Sequence, residues 1–227
     1  MNFIAISTGI YDERFMKRCV ESLSGIDHHV IIADNAPQDK IIVGDEFIRC
    51  CEEQYGAMRN FIRGMKIVDP HPEDVILRVD LDDQIAPGAL DVVKNAYKDP
   101  NCLLTYGSSQ YESGAPARFQ GAYTGNNFRT GKFRSFHLFT FKAKLFKHLR
   151  KKDFKDRTGN YFKTCCDLVL GYGLMELAGQ DRIRHIPEIT YIYNDLSPFN
   201  DHKLYKLQQK HDRKIIQRQS VYKRVRI

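Results

Sequence analysis

Residues 75–83 read VILRVDLDD, a mostly apolar run that ends in Asp80, Asp82 and Asp83. A short apolar run of this kind is typical of a strand buried inside a sheet. Carboxylates that crowd together repel one another, and burial penalises their charged form, so a bound cation would relieve the cluster. Mg²⁺ and Mn²⁺ prefer carboxylate oxygens. The stretch therefore indicates either a cation site or an ordinary acidic turn before a helix near Pro87.

Strand and helix patterns alternate around this stretch over the first hundred residues. Apolar runs predict strands at residues 2–7, 29–33, 75–79 and 102–106, and apolar stripes predict helices near residues 15–23, 56–68 and 87–97. Such alternation favours an α/β fold with a mostly parallel central sheet and flanking helices. Ligands of these sheets bind at the carboxyl ends of the strands.

Beyond residue 107 the pattern changes to loops, short strands and one long helix. We expect extended segments near residues 118–123 and 136–141, a helical segment over 141–149, a helix over 166–178, and strands at 183–186 and 189–193. These short strands predict a small secondary sheet. The expected organisation is one domain over residues 1–200 and a basic helical tail over residues 201–227.

Composition and charge limit the classes of function. Of the 227 residues, 42% are hydrophobic and 28% charged, which suits one globular domain and excludes wholesale disorder. The net charge is +7, and residues 201–227 hold nine Lys or Arg against two acids, so residues 1–200 are balanced. A balanced domain is not typical of a generally basic nucleic-acid binder. We expect no nucleic-acid partner.

Cysteine usage and the first residues indicate a compartment. The six cysteines form no Cys-x-x-Cys zinc pattern, and residues 1–10 form an apolar run without a basic leader. The run is interpreted as a first strand, and the thiols as reduced and buried. We expect a cytoplasmic protein, with peripheral contact to a membrane surface through the basic tail as a second hypothesis.

Polar side chains follow two other predicted strands. Ser7 and Thr8, with Tyr11, follow the first, and Asp34 and Asn35 follow the second. A carboxylate at this edge could accept a hydrogen bond from a nucleobase, and a tyrosine ring could stack on the base. Asp and Asn are also common turn residues, and tyrosine often simply packs. Both interpretations stay open.

The remaining candidates also have two interpretations each. Arg59 begins a helix and could contact a diphosphate or lie on the surface. Asp167 begins the helix over residues 166–178, where it could act as a general base or favour the helix dipole. His137 could contact an acceptor or pack in the core. Arg134 and Lys132 could close over phosphate or keep a loop solvated.

Several of these segments, taken in order, resemble motifs of family 2 glycosyltransferases with the GT-A fold. The segments are the first strand with Tyr11, and residues 31–36 (IIADNA), 56–60 (GAMRN), 77–83 (LRVDLDD), 166–179 and 186–194. The resemblance covers roughly residues 2–195. The sequence departs from the family pattern at Ala33, at Pro37 in place of a turn serine, and at Cys166, where the family has a glutamate before the aspartate.

The resemblance implies a transferase that moves a hexosyl or deoxyhexosyl group from a nucleotide-diphosphate donor, with a UDP-sugar favoured. Residues 1–107 would bind the donor and residues 108–200 an acceptor with a free hydroxyl, such as a glycan. The implied cofactor is Mn²⁺ or Mg²⁺. The implied donor-binding residues are Ser7, Thr8, Tyr11, Asp34, Asn35, Arg59 and Asp80. Asp80, Asp82 and Asp83 would bind the metal, and Asp167 would be the base of an inverting displacement.

Two other classes of protein are alternatives to a glycosyltransferase. A sugar-nucleotide nucleotidylyltransferase normally has a glycine-rich loop with Lys or Arg after its first strand, and residues 7–11 (STGIY) lack one. A non-catalytic module could instead use the basic tail to bind nucleic acid or an anionic membrane. Dependence of nucleotide-sugar binding on Mn²⁺ or Mg²⁺ would discriminate the three.

Overall fold

A computed structural model describes residues 1–36, 47–51, 55–115, 117–118, 120–130, 134 and 137–226, with the backbone alone for 47–51. Lys132, one of the candidate acceptor or phosphate contacts, lies outside these residues. So do the side chains of Cys50 and Cys51. The four cysteines whose side chains are described, Cys19, Cys102, Cys165 and Cys166, are free and buried, as the sequence predicts for these four.

The described strands form one eight-stranded sheet. In chain order they are β1 (Phe3–Ile10), β2 (His28–Asp34), β3 (Phe47–Cys51), β4 (Val75–Asp80), β5 (Gln84–Ile85), β6 (Leu104–Tyr111), β7 (Phe139–Lys142) and β8 (Ile183–Tyr193). Their order across the sheet is β3-β2-β1-β4-β7-β6-β8-β5. The β3–β2, β2–β1, β1–β4 and β6–β8 pairings are parallel, and the other three are antiparallel. The mostly parallel α/β sheet is confirmed.

The second half of the chain differs from its prediction in three respects. The segment near residues 118–123, expected to be extended, contains no strand among its described residues. The other short strands expected there as a secondary sheet join the main sheet, because β7 pairs with β4 on one side and β6 on the other. Residues 183–193 form one strand, although two were predicted around Pro187. Pro187 is accommodated where the β6–β8 register shifts, between Gly107 and Ser109, since such an irregularity needs no donor at that position.

Helices cover both faces of the sheet. They are α1 (Glu13–Ser22), α2 (Ala57–Val68), α3 (Ala89–Ala96), α4 (Cys166–Ala178), α5 (Asp201–Leu204) and α6 (Lys206–Gln217). Side chains of β1 alternate between two cores: Ile4 and Ile6 pack with α2 and α4, whereas Phe3 and Ala5 pack with α1 and α3. This alternation follows from the two-residue period of a strand. Residues 143–148, expected as helical, form a 3₁₀ helix.

The C-terminal segment packs against the domain. Ile216 of α6 is fully buried and Tyr222 is nearly so, both within the core that contains α4. The buried Arg129 donates to both carboxylate oxygens of Glu176 on α4, over 2.6 and 3.0 Å, and to the Ile216 carbonyl. The Tyr222 backbone N–H donates to the same glutamate. This network attaches residues 216–222 to α4, one of the helices that cover the sheet.

Within the described part of the chain, no helix has both the length and the apolar composition needed to cross a membrane.

Candidate functional site

One cavity of about 210 Å³ lies at the carboxyl ends of β1, β2 and β4. The N-terminal turns of α2 and α4 form two of its walls, and the segment that follows β8 forms another. The location is the one expected for ligands of open α/β sheets. Seven of the predicted site residues, which come from separate parts of the chain, line this cavity: Thr8, Asp34, Asp80, Asp82, Asp83, His137 and Asp167.

Asp80 is the last residue of β4, and hydrogen bonds fix the backbone at this residue and at the next one. Its N–H donates to the Tyr191 hydroxyl over 3.0 Å, and the next residue's N–H donates to the Thr8 carbonyl of β1. The Asp80 Oδ1 atom accepts a hydrogen bond from Arg78 Nη2 over 2.6 Å. Burial opposes the Arg78 charge, but the nearby Asp80 and Asp167 carboxylates outweigh it and raise the pKa of Arg78.

Asp82 and Asp83 line the same cavity with less access to water. Asp83 is almost fully buried, and its Oδ1 accepts from the Asn194 N–H over 2.7 Å. Its Oδ2 has no hydrogen-bond partner among the described residues. Burial, together with the negative charges of Asp82 and Asp80, raises the pKa of Asp83. Burial likewise raises the pKa of Asp82. A nearby positive charge would lower both.

A divalent cation fits the chemistry of this group, although the group alone does not form a cage. The carboxylate oxygens and the unpartnered Asp83 Oδ2 are the ligand types that Mg²⁺ and Mn²⁺ prefer. Among the described residues, however, no three His, Cys, Asp or Glu side chains are arranged to hold an ion. Sites of the Mg²⁺ type use one or two carboxylates and take water or substrate phosphate as further ligands. Metal binding stays a prediction.

Asp34 organises the wall formed by α2. It is buried, and its two oxygens accept from the Tyr55 and Gly56 N–H groups and from Asn60 Nδ2, over 2.7 to 3.1 Å. The side chain therefore ties the end of β2 to the first turn of α2. A ligand that binds Asp34 would contact a carboxylate that already accepts three hydrogen bonds from the protein.

Asp167 faces the cavity from the first turn of α4. It is half-buried and makes no hydrogen bond to another described residue. The partial positive charge at the helix N-terminus stabilises a carboxylate there. Cys165 precedes the helix with a left-handed φ of 58°, which turns the chain sharply into α4. A carboxylate on the wall of a cavity that makes no hydrogen bond to a described residue is placed to accept a proton from a ligand.

The other predicted donor-binding residues are placed differently. Thr8 lines the cavity, and its buried Oγ1 has no partner among the described residues. The Ser7 hydroxyl lies within 3.0 Å of His29 Nε2 in the protein interior and does not line the cavity. Tyr11 and Asn35 also lie outside the cavity wall. Of the residues predicted from the first strand and its end, Thr8 is therefore the one that could contact a ligand in the cavity directly.

The predicted cationic and acceptor residues divide in the same way. Arg59 is exposed, and its guanidinium lies over the Tyr55 ring, 3.9 Å from the ring centre. Of these two residues, Tyr55 lines the cavity and Arg59 does not. His137 lines the cavity and stacks on Tyr191 at 4.7 Å. Burial lowers the pKa of His137. Arg134 binds the Gln120 carbonyl over 2.7 Å, outside the cavity wall.

Sequence reasoning missed the residues that the C-terminal segment contributes. Asn200, Asp201, Tyr205 and Gln209 line the cavity, although they belong to the segment around the predicted tail. Burial, followed by the charges of Asp80 and Asp167, raises the pKa of Asp201 to about 7. No local pattern signals this placement. Arg78 was also missed, although its two-residue spacing from Asp80 puts both on one face of β4.

The eight-stranded sheet and its acidic cavity define the chain as an α/β protein of the GT-A fold class, as the sequence predicts. Among solved structures, the chain is similar to residues 1–349 of S. aureus TarS, with a TM-score of 0.62 and 14% identity over 91% of this chain and 63% of that one. The TarS structures in complex with UDP and with UDP-GlcNAc give TM-scores of 0.61 and 0.58, also at 14% identity. The match with the UDP complex covers 95% of this chain and 65% of the TarS chain, and the match with the UDP-GlcNAc complex covers 90% and 61%.

Similarity at this level of identity shows the fold. The chain spans less than two thirds of the length of these TarS structures. No protein-family model matches the sequence, and no curated protein matches it.

Proposed function

We propose that the chain is a glycosyltransferase that moves a hexosyl or deoxyhexosyl group from a UDP-sugar to an acceptor hydroxyl, as on a glycan. The observation that carries the proposal is one cavity with the Asp80–Asp83 carboxylates on one wall and the unshared Asp167 carboxylate on another. The TarS structures with UDP and UDP-GlcNAc support a nucleotide-sugar donor in this fold. The family 2 resemblance of the motifs agrees with it.

In this proposal the donor occupies the cavity with its nucleotide toward β1, β2 and α2. Thr8 Oγ1 and Asp34 are the described groups that could bind it there, and the Tyr55 ring offers a surface for stacking. Ser7, Tyr11, Asn35 and Arg59 would act by shaping this wall. The donor diphosphate would lie toward Asp80, Asp82 and Asp83.

Asp167 acts as general base in an inverting displacement. It takes the proton of the acceptor hydroxyl as the oxygen attacks the anomeric carbon, and the nucleotide diphosphate leaves from the opposite face. Asp82 or Asp83, with Asp80, would hold Mn²⁺ or Mg²⁺, which when bound stabilises the charge on the departing diphosphate. His137 lies where it could contact an acceptor, and Arg134 and Lys132 stay proposed acceptor or phosphate contacts.

A donor screen tests the proposal. We expect one UDP-sugar to raise the thermal unfolding midpoint of the purified protein in the presence of Mn²⁺ or Mg²⁺, because ligands stabilise the state that binds them. The same sugar should shift the midpoint less when EDTA is present. Isothermal titration calorimetry then gives the affinity. Absence of binding across UDP-, GDP- and dTDP-sugars with either ion would contradict the proposal.

We also propose that the outward face of α6 contacts an anionic membrane surface. Lys206, Lys210 and Lys214 are exposed at successive four-residue steps, which places them on one side of the helix. Leu207 beside them is 82% exposed. The acid of this helix, Asp212, faces inward and accepts from Thr164. Positive charge and an exposed leucine are complementary to anionic lipid headgroups.

Vesicle sedimentation tests this contact. The protein should pellet with vesicles that contain phosphatidylglycerol and stay in solution with phosphatidylcholine alone. Changing the three α6 lysines to glutamate should abolish pelleting. The matched control changes three other exposed lysines, Lys147, Lys151 and Lys152, to glutamate and should pellet as the wild type does. Equal loss in both variants would overturn the proposed α6 contact.

A further inference from the structure

Arg78 is a buried arginine that contacts Asp80 and leaves one buried nitrogen without a hydrogen bond to a described residue. It is 5% exposed, and its Nη2 donates to Asp80 Oδ1 over 2.6 Å. Its Nε is buried and has no hydrogen-bond partner among the described residues. A guanidinium carries five N–H donors, and a buried one that stabilises a fold normally finds acceptors for most of them.

Two other buried arginines of the chain show that normal pattern. Arg182 donates from Nε and Nη2 to the carbonyls of Ala178, Leu177 and Val225. Arg129 uses Nε, Nη1 and Nη2 together. Both lie outside the cavity wall, whereas Arg78 lines it. Arg78 therefore differs from these two structural arginines, because it lines the cavity and leaves a buried nitrogen without a hydrogen bond to a described residue.

The charge of the cavity also depends on Arg78. The described wall contains six aspartates, Asp34, Asp80, Asp82, Asp83, Asp167 and Asp201. Against them stand Arg78 and Lys163, of which Lys163 is exposed. A diphosphate entering this wall meets strong repulsion from the carboxylates. The Arg78–Asp80 pair removes one of those charges and holds the Asp80 side chain in one orientation.

We propose that Arg78 is a positioning residue for donor binding that acts through Asp80, an inference that rests on the proposed glycosyltransferase function. Arg78 occupies Oδ1 of Asp80 and leaves Oδ2 for a hydroxyl of the donor. This inference narrows the proposed metal ligands to Asp82 and Asp83, because Asp80 would serve the donor. The Nη2 donor belongs to a rigid planar group, whereas the ammonium of lysine is a point charge on a flexible stem, so Arg78→Lys would not hold Asp80 Oδ1 in the same position.

The proposal predicts that Arg78→Lys changes the KM for the donor much more than it changes kcat. A donor contact made equally in the ground state and the transition state changes KM and leaves kcat. We expect Arg78→Lys to raise the donor KM about tenfold, the usual scale for one charge-assisted hydrogen bond, with kcat within about twofold. A purely structural role would instead lower the active fraction, and so lower kcat at an unchanged KM. UDP release from the UDP-sugar supplies the assay.

A double variant tests whether Arg78 acts through Asp80. If it does, Asp80→Asn and the combined Arg78→Lys/Asp80→Asn should have the same donor KM, because the second change removes nothing further. The metal concentration for half-maximal activity should stay the same in Arg78→Lys and rise in Asp83→Asn. Arg182→Lys, a buried arginine outside the cavity, is the matched control and should keep the wild-type KM. Thermal unfolding midpoints show whether each variant is folded.

The outcomes separate the two proposals. Wild-type turnover with an unchanged KM in Arg78→Lys, or additive effects in the double variant, overturns the role of Arg78 alone. Absence of donor binding and turnover in the wild-type protein overturns the proposed function, and this role with it. A raised KM without additivity supports both.

Discussion

At the residue scale, Asp167 differs from Asp34, Asp80 and Asp83 in its contacts. Asp34, Asp80 and Asp83 each accept hydrogen bonds from the protein, whereas Asp167 makes none with a described residue. We expect Asp167→Asn to lower turnover about 10²- to 10⁴-fold, the usual contribution of a general base. Donor affinity should change less than about threefold, because the proton transfer belongs to the transition state. Turnover and calorimetric donor binding measure the two.

The matched control for this change is Asp91→Asn. Asp91 occupies the first turn of α3, is exposed, and lies outside the cavity wall. It shares the helix-dipole environment of Asp167 without access to a ligand. Its variant should keep wild-type turnover. If Asp167→Asn also retains turnover, another group removes the proton, and Asp201, which also lines the cavity, is the carboxylate to change next.

At the element scale, the attachment of the C-terminal segment rests on one buried ion pair. Glu176 on α4 receives Arg129 and the Tyr222 N–H, so its charge has donors on both oxygens. Glu176→Gln leaves Arg129 buried without its counter-charge. We expect the free energy of unfolding to fall by about 3–5 kcal/mol, which urea denaturation would measure.

An exposed ion pair near the same segment provides the comparison. Arg224 and Asp181 contact each other at 2.6 Å, with more than half of each side chain exposed. Asp181→Asn should lower the free energy of unfolding much less than Glu176→Gln does, because water already solvates and screens this pair. Replacing Arg129 and Glu176 together by Met and Leu should cost less than Glu176→Gln alone, because no buried charge remains. Equal costs for the buried and exposed single variants would show that α4 does not depend on this pair.

A close contact between β6 and β8 gives a second prediction at this scale. A Cβ atom on Gly107 would lie 1.9 Å from Thr190 Oγ1, which is buried and accepts from the Leu138 N–H. Gly107→Ala should therefore destabilise the protein by about 1–3 kcal/mol, since overpacking forces the strands apart. Gly173→Ala is the milder control, because its nearest neighbour is the end of the flexible Leu149 side chain. Denaturation midpoints of both variants test this.

The elements also show which parts of the fold a sequence can predict. β1, β2, β4, α2 and α4 are local patterns of apolar residues, and all were predicted close to their bounds. The position of β7 between β4 and β6 depends on pairing with partners 33 or more residues away, and no local period reports it. For the same reason Asp201 was not predicted to lie in the cavity with Asp80, 121 positions earlier in the chain.

At the scale of the whole molecule, the acidic cavity makes the stability of the ligand-free protein depend on pH. Burial and the facing Asp80, Asp167 and Asp82 carboxylates raise the pKa of Asp201 from 3.8 to about 7, against the opposing charge of Arg78. The folded state therefore binds a proton more tightly than the unfolded state does. The favourable contribution is complete below pH 3.8 and is lost as the pH rises through about 7.

We expect the free energy of unfolding at pH 8 to be about 2 kcal/mol lower than at pH 5, with Asp201→Asn removing most of the difference. The slope has this sign because a proton leaves a buried carboxyl group that other carboxylates surround. Asp195, a half-buried acid outside the cavity wall whose pKa is lowered, supplies the matched control in Asp195→Asn. That variant should keep the wild-type slope. Urea denaturation from pH 5 to 8 measures all three proteins, and stability that rises with pH in the wild type would contradict the buried, crowded state of Asp201.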